Sequence, residues 1–108
     1  MTDVSIIYQI NKNSEEDELP FVYKSLDKAI KFCSEKSNDL VTYFTRPSYL
    51  DDTEYKEGDP VYIVAVVNSN YEVSFPIIFV NEKLANDYMK ETPLTDAYYI
   101  IKPSVYVK

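Results

Sequence analysis

The sequence predicts an α+β domain built from two consecutive strand–strand–helix–strand units. Three observations predict it. Residues 19–50 align without a gap over 75–106, at an offset of 56. Short runs of alternating apolar residues are interrupted twice by stretches with helical spacing. Each helical stretch opens on a good capping residue, Ser25 or Asn81.

The alignment rests on particular residues. Pro20 meets Pro76, Ala29 meets Ala85, Glu35 meets Glu91 and Tyr43 meets Tyr99, and Pro47-Ser48 meets Pro103-Ser104. Upstream, "VSIIYQIN" (4–11) lies over "VYIVAVVN" (61–68) at an offset of 57. The extra residue falls in a loop, where insertions are tolerated. The expectation is a tandem duplication, with repeats 4–50 and 61–107 joined by an acidic connector, 51–60.

The first strand spans 4–10, with Val4, Ile6, Tyr8 and Ile10 on one face. Its counterpart, 61–67, is almost wholly apolar, the mark of a strand buried on both faces. Second strands follow at 20–24 and 76–80. In the first helix Leu26, Ala29, Ile30 and Cys33 form an apolar stripe, matched by Ala85, Tyr88 and Met89 in the second. Third strands at 41–46 and 97–102 should stop before Pro47 and Pro103, because the residue before proline is restricted. The connector holds Gly58, the only glycine, and reads as an exposed loop.

A unit of roughly 50 residues with one helix buries too little surface to be secure alone. Residues 1–108 should therefore share one core. The expected form is a mostly antiparallel six-stranded sheet, or two small sheets, carrying both helices about a pseudo-twofold axis. The terminal "SVYV" (104–107) either finishes this sheet or leaves an edge open to homodimerisation by strand addition.

Composition removes many functions. No apolar run approaches the ~20 residues of a membrane span. The amino-terminal stretch lacks the pattern of a secretion signal, and the single Cys33 fits a reducing compartment, so a cytoplasmic protein is expected. With no histidine, the Ser-His-Asp and Cys-His arrangements cannot be written. One glycine excludes phosphate-cradling loops. "SLDK" (25–28) has the Ser-x-x-Lys spacing of serine acyl enzymes, but the other repeat places Asn81 at the serine, and a cap explains both. No catalytic residues, metal site or cofactor are expected; ten lysines to one arginine reflect AT-rich codons, as in low-GC bacteria and their phages.

Charge is the remaining signal. Residues 12–18 carry four acids and one lysine (−3), and 51–59 carry five acids and one lysine (−4), which together make the whole net charge of −7. The expected binding residues are Glu15, Glu16, Asp17 and Glu18 in the first loop. In the second they are Asp51, Asp52, Glu54, Tyr55, Glu57 and Asp59, with Tyr49 and Tyr71 nearby. Tyrosine is enriched at binding hot spots, and acidic loops steer basic partners. Direct nucleic-acid binding is disfavoured at this charge. The function expected is a non-catalytic module that binds a basic protein. Its sharper form is a phage-type inhibitor occupying a nucleic-acid-binding surface. The competing class is a small-molecule sensor or accessory subunit with a ligand held between the repeats.

Overall fold

A computed structural model describes residues 2–13, 17–51 and 53–108. The elements are β1 (Thr2–Asn11), β2 (Glu18–Tyr23), α1 (Leu26–Lys36), β3 (Val41–Leu50), β4 (Pro60–Asn68), β5 (Val73–Phe79), α2 (Glu82–Glu91) and β6 (Ala97–Val107). The strands close into a barrel in the order β1-β2-β6-β4-β5-β3.

Closure corrects the open, mostly antiparallel sheet expected from the sequence. Antiparallel pairing joins β1 to β2 and β3, and β4 to β5 and β6. Two parallel seams, β2 with β6 and β3 with β5, then tie these three-stranded groups to each other. An open sheet would leave two strands with unpaired backbone groups, and closure removes both edges. Alternation could not reveal this, because a half-covered sheet and a barrel share the same period of two. The carboxy-terminal segment is no edge either, since β6 pairs with β2 at Val105–Val107 and with β4 from Ala97 to Val105.

Inward side chains fill the barrel, with Ile6, Val22, Val61, Ile63 and Ile78 fully buried. The helices lie outside. Their caps are those read from the sequence: Ser25 Oγ accepts from the Lys28 N–H and Asn81 Oδ1 from the Leu84 N–H. α1, however, does not bury its Leu26 and Ile30, which are 53% and 51% exposed. It docks through Ala29 and Phe32, whose ring meets Phe21, Tyr23 and Tyr43 at 5.2–5.9 Å. On the other side Ala85 packs with Val64 and Phe79, flanked by Tyr88 and Met89.

β3 and β6 run through their prolines rather than stopping before them: Pro47 pairs opposite Ser5 and Pro103 opposite Tyr62. The prolines act on the seams instead. Pro20 and Pro103 lie in the two strands of one seam, Pro47 and Pro76 in those of the other. Lacking an N–H, proline cannot donate to a ladder. The seams are short accordingly, three residue pairs between β2 and β6 and one between β3 and β5.

The barrel has two unlike ends. β1 and β4 begin, and β2, β3, β5 and β6 finish, at the end crossed by the connector. There Tyr55 lies over the core against Tyr106, with ring centroids 5.6 Å apart. Residues 12, 13 and 17 and the segments 37–40, 69–72 and 92–96 gather at the opposite, open end.

Candidate functional site at the open end of the barrel

Both seams stop short of the open end. A cavity of about 220 Å³ enters the barrel there. Leu19 of β2, Ala65 and Val67 of β4, Val73 and Phe75 of β5 and Ile100 of β6 make its apolar wall. Three polar side chains stand at its mouth: Tyr8, Asp17 and Lys102. The Tyr8 hydroxyl donates to Asp17 Oδ2 at 2.6 Å, and its ring stacks on Phe44. Burial first, and then the Asp17 carboxylate, push the Tyr8 pKa up to about 12. Across the mouth the Arg46 guanidinium sits 5.3 Å from the Phe75 ring centre and donates to the Val73 carbonyl at 2.7 Å.

Around the mouth, large apolar side chains are left in solvent. Ile10, Leu40, Leu94 and Tyr98 are 36–56% exposed and Tyr71 is 81% exposed. Interleaved with them are exposed carboxylates on Asp17, Glu18, Asp39, Glu72 and Asp96.

Tyr71 is held outward by its turn. The Tyr71 N–H donates to the Asn68 carbonyl, and the Asn68 N–H donates to the Glu72 carbonyl. Asn68 Oδ1 accepts from the N–H groups of Asn70 and Glu72 at 2.9 and 3.0 Å. The turn demands a left-handed residue, and Tyr71 supplies it at φ 61°. That region favours glycine; a side chain there costs roughly 1–2 kcal/mol.

The structure does not gather the residues expected to bind into one surface. The described residues of the connector and those of the first acidic loop (12, 13, 17 and 18) lie at opposite ends of β1, about 30 Å apart at the usual rise per residue. Several connector groups are turned to internal work. Asp51 accepts from the Tyr55 hydroxyl and from Thr53 Oγ1, Asp59 Oδ2 accepts from the Lys56 N–H, and Glu57 accepts from the Lys108 N–H. Tyr55 is a packing residue, and its hydroxyl also donates to the Ile78 carbonyl at 3.2 Å. Glu54 is exposed at that end, as is Tyr49, at 44%, near the start of β1. Glu15, Glu16 and Asp52 lie outside the described residues. Asp17, Glu18 and Tyr71 share the open end. Sequence reasoning missed Ile10, Leu40, Leu94 and Tyr98, because only strand direction shows that the segments carrying them converge.

Among the described residues no helix is long and apolar enough to cross a membrane. Compared with protein-family models, curated proteins and solved structures, the chain matches none.

Proposed function

We propose that the protein is a non-catalytic binding module whose open end docks on a partner protein with a basic, partly apolar surface. Tyr71 carries this reading. It is the most exposed large apolar side chain among the described residues and stands at a backbone position where glycine is less strained. Its ring contributes no core packing there, whereas interfaces use tyrosine for area, rigidity and a hydroxyl. The surrounding carboxylates favour approach of a basic surface, an attraction that fades as salt rises. Basic surfaces with this need are common on nucleic-acid-handling enzymes, so an inhibitor that occupies such a surface is the particular form proposed. A cytoplasmic setting accords with the unpaired thiol of Cys33.

Affinity capture with a variant panel tests the proposal. Tyr71→Gly should keep the fold, with stability unchanged or raised by up to ~1 kcal/mol. It should nevertheless weaken capture of the partner about tenfold or more. Neutralising Asp17, Glu18, Asp39 and Glu72 to their amides should abolish capture at low salt. Neutralising Glu54 and Glu57 at the other end should leave capture intact. Equal capture by the wild type and the open-end variants would overturn the proposal.

A further inference from the structure

The apolar surface of the open end does not stop at the rim. Tyr8 and Ile10 share one face of β1, and Ile100 and Tyr98 share one face of β6. Tyr8 and Ile100 line the cavity, while Ile10 and Tyr98, each two residues nearer the open end, stand exposed on the rim. The turn that carries Tyr71 repeats the arrangement. It joins Val67 to Val73, which pair with each other and both line the cavity. Rim and cavity wall are therefore one continuous surface, and the cavity opens among the residues assigned to docking.

That continuity constrains what covers the mouth. A partner laid flat across it would seal a space of about 220 Å³, and atoms that line an empty space lack contacts on one side. A side chain that fills the space restores those contacts, as the strongest interface residues do in central pockets. Below the mouth the lining side chains are all apolar, among them Leu19, Ala65, Phe75 and Ile100. At the mouth Asp17 and Lys102 carry opposite charges, so an entering cation meets Lys102 and an entering anion meets Asp17. The Tyr8 hydroxyl already donates to Asp17. An uncharged, apolar group is what fits. A cavity of about 150 Å³ holds benzene, so this one has room for a phenylalanine ring. Outside the mouth stand the exposed carboxylates of Glu18, Glu72 and Asp96, which suit lysine or arginine on either side of that ring.

We propose that the partner anchors itself by inserting one phenylalanine-sized apolar side chain into the cavity, with basic residues beside it on the carboxylates of the rim. This inference rests on the docking proposal above and adds the chemistry of the segment that docks. Tyr71, Tyr98 and Ile10 surround the anchor and exclude water from it.

Nuclear magnetic resonance titration of the isotope-labelled full chain tests it with two capped peptides, Lys-Lys-Phe-Lys-Lys and Lys-Lys-Ala-Lys-Lys. The first should bind saturably and shift the methyl signals of Val67, Val73 and Ile100, leaving those of Ile30 on the outer helix unmoved. The alanine peptide should bind at least tenfold more weakly. Ala65→Leu fills the cavity from its buried wall and leaves the rim as it is. It should keep the melting temperature or raise it, and it should weaken the phenylalanine peptide tenfold or more. Toluene, the phenylalanine side chain as a free molecule, tests the cavity without a substitution: it should shift the same methyl signals and compete with the peptide. Absence of saturable binding by the phenylalanine peptide, equal binding of the two peptides, undiminished affinity in a folded Ala65→Leu, or failure of toluene to compete would each overturn the anchor. The docking reading is judged separately, by capture with the rim variants. Capture lost in Tyr71→Gly but unaltered in Ala65→Leu would leave docking standing and overturn the anchor alone.

Discussion

Tyr55 shows how far a single residue can depart from its sequence surroundings. Its neighbours in "DDTEYKEGD" are charged or small, so the segment reads as solvent-facing. The ring nevertheless lies over the barrel end, and its hydroxyl is held by Asp51 and the Ile78 carbonyl. No local pattern marks that role; it follows from where the connector must cross to reach β4. Burial, followed by the Asp51 hydrogen bond, raises the Tyr55 pKa well above the ordinary 10.0. The neutral phenol is thus favoured by folding. Its contribution is complete below pH 10 and is lost as pH rises toward the folded-state value. Urea midpoints should fall steadily above pH 10, and the fall should be shallower in Tyr55→Phe. An identical slope in that variant would show that the stopper does not couple to alkaline unfolding. By contrast, Tyr71 was recognisable from sequence as a loop tyrosine, although its left-handed backbone was not.

At the scale of elements, what was legible followed from local chemistry. Both helix caps were evident because a side-chain oxygen before a helical stretch has few other uses. The docking face of α1 was not. Leu26 and Ile30 share a helical face with Ala29 and Cys33 in projection, and they outrank Phe32 in apparent importance. The structure turns the helix so that Phe32 enters an aromatic nest of Phe21, Tyr23 and Tyr43. The aromatic partners sit on two different strands, and no short-range pattern joins them to the helix. Phe32→Ala should therefore cost about 2–3 kcal/mol, less than a fully buried phenylalanine because the ring is only half-buried. Leu26→Ala should cost under ~1 kcal/mol. Chemical denaturation of both variants checks the order, and a larger loss at Leu26 would contradict the observed rotation of the helix.

For the molecule as a whole, the sequence conveyed alternation and element order but not closure. The decisive contacts are the parallel seams, which join residues as distant as Phe21 and Val105. Prolines in all four seam strands argue locally against continued pairing, and so hide the seams from a reader of the sequence. The open-end site was hidden for the same reason, since its residues become neighbours only when the barrel closes. Stability should reflect this interdependence. A fragment spanning 1–51 would expose the outer edges of β2 and β3 and lose half of the barrel interior. It should show no cooperative thermal transition by circular dichroism, whereas the full chain should show a single one. A cooperative transition in the monomeric fragment would show that one three-stranded group suffices.

β1 begins and β6 finishes at the stoppered end, where Lys28 Nζ donates to the Lys108 carbonyl and Glu57 accepts from the Lys108 N–H. Anything attached at Thr2 or Lys108 consequently projects away from the mouth. A fluorophore, a fusion partner or the surface of a biosensor chip joined through either position would hold the barrel upright. Tyr71, the acidic rim and the apolar cavity would then all be displayed to the solution.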